Sequence, residues 1–231
     1  MSALGGRLAV VTGASRGIGA AAAEALAGAG ATVVRLARSL EEGTSRGFRD
    51  LRCDLADPAQ IVAAATRILG EFGTPDIVVN NAGVFLLKSF EATDPGELDA
   101  QLDVNLRAPF VLAQSFLPAM RAAGQGLLIN LGSVADHRGF PDNSAYAASK
   151  FALRGLHETL AAEYRGTGVR LTLISPGPTD TAAWDPFDPD HRPGMIPRAA
   201  MLRPEDVAEA ILFAATRPPH VTIDWLRLGP A

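Results

Sequence analysis

Apolar residues recur along this chain in two alternating patterns. Short, unbroken apolar runs are typical of strands that are buried on both faces, and they predict strands at 8–12, 32–36, 51–53, 77–80, 126–131, 170–174 and 222–228. Longer apolar or alanine-rich segments between them predict helices at 17–29, 58–72, 95–122, 144–166 and 204–216. This alternation predicts an α/β fold with a doubly wound parallel sheet and helices on both of its faces.

The composition is typical of one compact domain. The chain has 231 residues, 48% of them hydrophobic, and neither a linker nor a repeat divides it, so we predict a single domain over 1–231. A net charge of −4 offers no electrostatic footprint for nucleic acid or for an anionic membrane. The first apolar run is short and leads directly into a glycine-rich turn, so we predict no secretory signal and no membrane span, and we expect a cytoplasmic protein.

Cysteine and histidine usage excludes two further classes of site. The chain has one cysteine, Cys53, which rules out an intramolecular disulfide and fits a reducing compartment. Its four histidines show no metal-ligand spacing, so we predict no metal site.

A glycine-rich turn follows the first predicted strand and opens the first predicted helix. Its glycines, Gly13, Gly17 and Gly19, permit a tight turn and let backbone N–H groups approach a pyrophosphate at the start of the helix, where the helix dipole also favours anions. The spacing is G-x-x-x-G-x-G, which is neither the common dinucleotide fingerprint nor a P-loop. Alone, the turn is weak evidence for a nucleotide.

Tyr146 and Lys150 form a Y-x-x-x-K step, and Ser133 lies thirteen residues upstream of the tyrosine. Residues four apart share a helix face, so the lysine charge lies within reach of a phenol that ordinarily titrates near ~10. Because a fixed positive charge stabilises phenolate, we predict that it lowers the pKa of Tyr146 by ~2 to 3. Taken alone, such a step is more often a surface tyrosine that precedes a lysine by one turn.

Together, these motifs resemble those of the short-chain dehydrogenase/reductase family, in its compact single-domain, NADP-preferring branch. The matching elements cover most of the chain in the family's order: 12–19, Asp54 with Leu55, Asn80 to Gly83, Asn105, Ser133, Tyr146 with Lys150, and Ser175 to Gly177 with Thr179 and Thr181. The resemblance implies a Rossmann-type seven-stranded parallel sheet of order 3-2-1-4-5-6-7, with ligands at the carboxyl ends of the strands. The interval 39–49 is short for the family's second crossover helix.

The resemblance also implies the activity: NADP(H)-dependent hydride transfer between the nicotinamide and a carbonyl or secondary alcohol. Tyr146 would be the general acid or base, and Ser133 would donate a hydrogen bond to the substrate oxygen. Lys150 would hold the nicotinamide ribose and favour phenolate, and Asn105 would hold a water that links Lys150 to solvent. The alternative from another class is a non-catalytic sensor of NADP with the same fold.

The cofactor-binding residues that the resemblance implies come from every part of the chain. They are Gly13, Ser15, Arg16, Gly17, Ile18 and Gly19 in the turn, Ala37 and Arg38 after the second strand, Asp54 and Leu55 beside the adenine, Asn81, Ala82 and Gly83 along the dinucleotide, Tyr146 and Lys150 at the ribose, and Pro176, Gly177, Thr179 and Thr181 around the nicotinamide.

Charge at the end of the second strand favours NADP over NAD. Ala37 occupies the position where NAD-preferring relatives carry an acid for the ribose hydroxyls. Arg38 and Arg16 can then flank a 2′-phosphate, although either could equally be a solvated surface arginine.

Two segments are expected to wall the substrate pocket, namely 135–143, with His137, Arg138 and Phe140, and the substrate loop at about 178–200, with Trp184, Phe187 and Arg192. Trp184 and Phe187 would either cover an apolar ligand or anchor the loop. Arg138 or Arg192 would either pair with a substrate carboxylate or remain solvated. The partner is thus a small carbonyl or alcohol of unknown identity.

The predicted helices at 95–122 and 144–166 are apolar on more than the side that faces a sheet. Helices at these positions form a subunit interface in many relatives, so the resemblance implies a homodimer or homotetramer.

Overall fold

The computed structural model describes residues 2–45 and 47–231. The strands are β1 Leu8–Thr12, β2 Thr32–Ala37, β3 Gly43–Ser45, β4 Phe48–Arg52, β5 Ile77–Asn80, β6 Gly126–Leu131, β7 Val169–Pro176 and β8 Trp225–Leu228. The α-helices are α1 Gly17–Gly28, α2 Pro58–Glu71, α3 Pro95–Leu102, α4 Ala108–Ala123, α5 Ser144–Glu163 and α6 Pro204–Ala215.

The strands form one sheet in the order β3-β4-β2-β1-β5-β6-β7-β8. Without β3, this is the predicted seven-stranded order, and all of its neighbours pair in parallel, so the predicted α/β Rossmann-type fold is confirmed. Strand β3 was not predicted from the sequence. It pairs antiparallel to β4 and lies in the interval 39–49, which is short for the family's second crossover helix. A strand of three small polar residues carries no hydrophobic pattern by which it could be recognised.

Both faces of the sheet are buried, which explains the unbroken apolar runs of the central strands. Successive side chains of a strand point to opposite faces. Val11 accordingly packs in the cluster that contains Leu26 of α1 and Ile211 of α6, whereas Val10 packs in the cluster that contains Ile61 of α2 and Phe116 of α4. The helices therefore lie in two layers, with the sheet between them.

The segment predicted as one helix over 95–122 is divided by a π-helical turn, Asp103–Arg107, between α3 and α4. Pro109 follows this turn closely. A proline has no N–H for the carbonyl of the residue four positions earlier, and its ring crowds that carbonyl, which here belongs to Asn105. Widening the helix by one residue relieves this crowding, so Pro109 explains the turn that contains Asn105.

Gly19 lets α1 pack tightly beneath the turn that precedes it. A Cβ at Gly19 would lie 2.4 Å from the carbonyl oxygen of Gly13 and 2.4 Å from Nδ2 of Asn81. Gly19 is buried and does not line the cleft described below. Its glycine is therefore required by helix packing, which is also one of the roles of glycine in such turns.

We expect Gly19→Ala to lower the free energy of unfolding by about 1 to 3 kcal/mol, because the new methyl group overlaps backbone atoms that cannot move aside freely. Gly28, in the same helix, is the matched control, because a Cβ there would have no atom within 4 Å among the described residues. Gly28→Ala should leave stability unchanged or raise it by up to about 1 kcal/mol. Urea unfolding of both variants measures this, and equal effects would contradict the packing role of Gly19.

Candidate active site

A cleft of about 1070 Å³ opens at the carboxyl ends of the parallel strands. All but two of the sequence-predicted site residues line it: Gly13, Ser15, Arg16, Gly17, Ile18, Ala37, Arg38, Asp54, Leu55, Asn81, Ala82, Gly83, Ser133, Tyr146, Lys150, Pro176, Gly177, Thr179 and Thr181. The two that lie outside the lining are Gly19 and Asn105. The sheet topology thus brings together residues from seven separate parts of the sequence.

The start of α1 has the features of a phosphate cradle. The side chain of its N-cap residue, Arg16, makes no capping hydrogen bond within the described structure, and the first turn of α1 contains no acidic residue. The first N–H groups of a helix that lacks a cap need partners from outside the helix, and they attract anions. Gly17 has a positive φ of 57°, and a Cβ there would lie 3.3 Å from Thr181 Cγ2, on the far side of the cleft. These residues fit a dinucleotide.

The end of the cleft beside β2 and β4 carries two arginines. Ala37, the last residue of β2, is buried and carries only a methyl group. Arg38 and Arg16 are exposed and line this end. Asp54, after β4, accepts the N–H of Ala56 at 3.0 Å, so part of its carboxylate stabilises its own turn.

Thr12 fastens β1 to the segment after β5, along the middle of the cleft. Its buried Oγ1 accepts the N–H groups of Asn81 and Ala82, each at 3.0 Å. In return, Nδ2 of Asn81 donates to the Thr12 carbonyl at 2.8 Å. These three bonds fix the backbone of 81–83 against the glycine turn.

The loop after β7 closes the opposite end of the cleft. The N–H of Gly177 donates to the Leu228 carbonyl at 2.7 Å, and Thr179 Oγ1 donates to the Gly177 carbonyl at 3.1 Å. Further along, Arg198 binds Asp180 and Asp185, each at 2.6 Å. The guanidinium of Arg198 therefore ties both ends of the predicted substrate loop together.

Ser133 lies just beyond β6, at the start of a 3₁₀ turn, Val134–Asp136. Its Oγ accepts the N–H of Ala135 at 3.1 Å, and its own N–H donates to Asp136 Oδ2 at 3.0 Å. This capping box fixes the backbone and the side chain of Ser133 together. The nearby Ser133 hydroxyl also lowers the pKa of Tyr146.

Asp136 is a buried carboxylate that the sequence analysis missed. It is 0% exposed, and besides Ser133 it binds Ser175 Oγ at 2.5 Å and His137 Nδ1 at 2.7 Å. Ser175 in turn accepts the indole N–H of Trp225 at 2.8 Å. The S-x-x-D spacing from Ser133 is a capping-box signal and could have identified Asp136 from the sequence.

Tyr146 lies in the first turn of α5 and lines the cleft. The pKa of Tyr146 is raised to about 12, mainly because of burial. The Ser133 hydroxyl lowers this pKa, whereas the negative charge of Asp136 raises it. The predicted lowering of this pKa is therefore wrong for the structure. Desolvation disfavours phenolate, and the Lys150 ammonium, 5.8 Å from the centre of the phenol ring, does not overcome it.

Lys150 is buried one turn further along α5, as predicted, and its Nζ donates to the Leu131 carbonyl at 2.8 Å. Burial lowers the pKa of Lys150 to about 8, while the charge of Asp136 acts in the opposite direction. One apolar environment thus shifts both members of the pair toward their neutral forms.

Asn105 is fully buried in the π-helical turn and acts on the backbone. Its Oδ1 accepts the N–H of Val84 at 2.8 Å, and its Nδ2 donates to the Val84 carbonyl at 2.9 Å and to Ser149 Oγ at 3.0 Å. The side chain therefore joins three segments behind the cleft. A water-holding role for Asn105 remains a prediction, and its side-chain amide is already engaged by protein groups.

The substrate end of the cleft has an aromatic wall built on Phe85. This ring packs edge-on against Tyr146 with the ring centroids 4.9 Å apart, and its centroid lies 4.9 Å from that of Trp184 and 5.4 Å from that of Phe187. Trp184 lines the cleft, whereas Phe187 is absent from the described lining and supports Phe85. One ring thus covers the cleft and the other anchors the loop. The sequence analysis missed Phe85, which no short motif marks.

The arginines considered for a substrate carboxylate are occupied elsewhere. Arg138 stacks on Phe140 at 5.3 Å, and Arg192 lies 4.0 Å from Asp142. Neither they nor His137, whose ring packs against Trp225, are among the described residues that line the cleft.

Residues 2–45 and 47–231 contain no cluster of three or more His, Cys, Asp or Glu side chains that could hold a metal ion. Within the same ranges, every helix is too short or too polar to cross a membrane.

Comparison with known proteins gives a consistent result. The sequence pattern described as short chain dehydrogenase matches residues 7–192. A D-threitol dehydrogenase of Mycolicibacterium smegmatis is 38% identical over 226 residues, which cover 92% of this chain and 87% of that protein.

Two solved structures share the fold over nearly the whole chain. A metagenomic short-chain oxidoreductase in complex with NADP has a TM-score of 0.84 and 37% identity, and the match covers 100% of this chain and 99% of that one. The closed form of serine dehydrogenase complexed with NADP+ has a TM-score of 0.86 and 26% identity, and the match covers 96% of this chain and 94% of that one.

The lowered pKa of Lys150 predicts how stability depends on pH. The pKa of Lys150 is 10.5 in the unfolded chain and about 8 in the folded protein. Between these values the unfolded state binds more protons, so this group makes the free energy of unfolding rise with pH. We expect wild type to gain on the order of 2 kcal/mol relative to Lys150→Met between pH 8 and 10. Urea unfolding without added dinucleotide measures this, and parallel pH profiles would contradict the buried, easily deprotonated lysine.

Proposed function

Because the chain belongs to the short-chain dehydrogenase family and is an oxidoreductase, we propose that it transfers hydride between NADP(H) and a carbonyl or secondary alcohol, with Tyr146 as the general acid or base. The observation that carries this proposal is that Ser133, at the turn after β6, and Tyr146 and Lys150, both on α5, line one cleft. A substrate carbonyl oxygen bound there would accept hydrogen bonds from the hydroxyl groups of Ser133 and Tyr146.

Each side chain has a distinct part in the proposed reaction. When bound, the nicotinamide supplies or accepts the hydride. With a pKa near about 12, Tyr146 is protonated at neutral pH, which is the form that must give a proton to the oxygen of a reduced carbonyl. Ser133, held by its capping box, donates to the same oxygen as negative charge develops. Lys150 favours phenolate when the reaction runs toward the ketone.

The NADP preference rests on charge at the adenosine end. Arg16 and Arg38 line that end, and Ala37 offers no carboxylate to a ribose. Two of the neighbours in structure contain NADP or NADP+, which supports the same cofactor here. One relative is named a D-threitol dehydrogenase and one a serine dehydrogenase, and both D-threitol and serine bear hydroxyl groups, which supports an alcohol or its ketone as the substrate.

A non-catalytic sensor of NADP is the alternative function. Such a protein would not need Ser133, Tyr146 and Lys150, yet all three lie in the cleft. Consumption of NADPH with a panel of aldehydes, diketones and hydroxy ketones separates the two functions, because a sensor binds NADPH without oxidising it.

We also propose that the chain forms a homo-oligomer through α4 and α5. Phe110 of α4 and Phe151 of α5 are 49% and 47% exposed, which is unusual for aromatic rings. A monomer mass by light scattering at micromolar concentration would exclude this assembly.

We expect Tyr146→Phe to lower kcat by a factor of about 10² to 10⁴, because it removes only the transferable proton. NADPH affinity should change little. Tyr164→Phe is the matched control, since this second tyrosine of the chain caps the far end of the same helix, outside the described lining of the cleft. Steady-state kinetics and NADPH titration decide the matter, and full activity of Tyr146→Phe would show that another group supplies the proton.

We expect Arg38→Ala to lower kcat/KM for NADPH about ten- to hundredfold and to leave the value for NADH unchanged, because only the former cofactor has a 2′-phosphate. Arg52→Ala is the control, since Arg52 is exposed at the end of β4 and is not among the described lining residues. Equal kcat/KM of the wild-type enzyme for both cofactors would refute the NADP preference.

A further inference from the structure

Asn143 is an unexplained polar residue of the cleft. It is 7% exposed and lines the cleft, yet its Oδ1 has no hydrogen-bond partner among the residues that the structure describes. An unpaired buried amide oxygen is costly, and such groups in native proteins usually have a functional reason. A ligand that brings a donor would remove this cost.

The place of Asn143 in the fold directs it toward the substrate. It occupies the N-cap of α5, where an asparagine side chain ordinarily caps the helix, but this side chain makes no such bond in the described structure. It precedes Tyr146 by three residues, and both residues line the cleft. A substrate that reaches Tyr146 therefore shares this cleft with Asn143.

The aromatic wall gives the second, independent constraint. Phe85 and Trp184 both line the cleft, and Phe85 packs against Tyr146 itself. The substituent on the other side of the reacting carbon therefore meets flat apolar surface, which favours an aromatic or aliphatic group.

The charges of the cleft exclude an acidic substrate. Among the described lining residues, the cations are Arg16 and Arg38 at the adenosine end and Lys150, which already donates to the Leu131 carbonyl. The anion nearest the substrate end, Asp180, is paired with Arg198. A carboxylate on the substrate would lose its hydration without gaining a partner of opposite charge.

We propose that the substrate is an uncharged α-hydroxy ketone, or the corresponding 1,2-diol, with an apolar and preferably aromatic substituent, and that Asn143 binds its second hydroxyl group. This rests on the hydride transfer proposed above. A hydroxyl both donates and accepts, so it pairs with either end of the amide. In the oxidation of the diol, NADP+ would accept the hydride from the C–H of the reacting carbon, the phenolate form of Tyr146 would accept the O–H proton, and the second hydroxyl would be unchanged.

The test compares ligands that differ in one group and variants that differ in one contact. The ligands are 2-hydroxyacetophenone, propiophenone, which replaces its CH2OH group by an ethyl group, and hydroxyacetone, which lacks the ring. We expect wild type to prefer 2-hydroxyacetophenone over propiophenone at least tenfold in kcat/KM, and this ratio should fall about tenfold or more in Asn143→Leu. Because a hydroxyl group also activates the ketone intrinsically, the change in the ratio between the two enzymes is the decisive quantity.

Trp184→Ala is the matched second variant. It should keep the hydroxyl preference and lose the preference for 2-hydroxyacetophenone over hydroxyacetone, because it removes only aromatic surface. The thermal unfolding temperature of Asn143→Leu should equal or exceed that of wild type, since the substitution removes an unpaired buried amide oxygen and breaks no capping hydrogen bond in the described structure. An unchanged hydroxyl ratio in Asn143→Leu, or faster reduction of benzoylformate than of 2-hydroxyacetophenone, would overturn the proposal.

A binding measurement separates this proposal from the hydride-transfer function. Calorimetric titration of the Tyr146→Phe enzyme, saturated with NADP+, should show 2-hydroxyacetophenone binding at least tenfold more tightly than propiophenone, and Asn143→Leu in this background should abolish the difference. If this holds and no ketone is reduced, the substrate class stands and the catalytic function fails. If the two ligands bind equally well, the assignment of Asn143 is wrong.

Discussion

Desolvation of one phenol and one ammonium, a single turn apart on α5, is the constraint on which the site depends. Burial is the main cause that raises the pKa of Tyr146 to about 12 and lowers that of Lys150 to about 8. Both shifts favour the neutral form, and they arise because β6, the turn after it and α5 bury both groups. Tyr146 therefore keeps its proton well above neutral pH, whereas Lys150 releases its proton more readily than an exposed lysine.

The fold supplies that environment through the sheet order. Because β1, β5, β6 and β7 are neighbours and parallel, their carboxyl ends meet at one edge, and the glycine turn, the 81–83 segment, Ser133 and the loop after β7 converge there. Small groups then tune the contacts. Thr12 holds 81–83 in place, and Asn105 joins Val84 to α5 from behind the cleft. Pro109 explains why Asn105 lies in a widened turn.

The predictable part of this structure is the part with strong local signals. Strands such as β1, β5 and β6 were predicted correctly because most of their residues are apolar, and the sheet order followed from the family resemblance. Two features of the fold were not predicted from the sequence, for local reasons. Strand β3 is short and polar, so it has no hydrophobic periodicity by which it could be predicted. The π-helical turn before α4 depends on Pro109, and a proline in the first turn of a helix is so common that it predicts nothing unusual. The residues that we propose to react were named from sequence, whereas Phe85 and the unpaired oxygen of Asn143 can be recognised only from the tertiary structure. The direction of the pKa shift of Tyr146 was predicted wrongly for the same reason. The spacing along a helix identifies a neighbouring charge, but it does not give the dielectric of the surroundings.

The central claim is that burial keeps the Tyr146 phenol protonated well above neutral pH. Since the chain has two tyrosines, Tyr164→Phe leaves Tyr146 as the only one, and a ¹³Cζ-tyrosine label then gives a single NMR resonance to follow with pH. The account predicts that the free enzyme shows the chemical shift of a neutral phenol up to pH 10.5, with a midpoint near about 12. A midpoint at or below the ordinary tyrosine value of about 10 would contradict it.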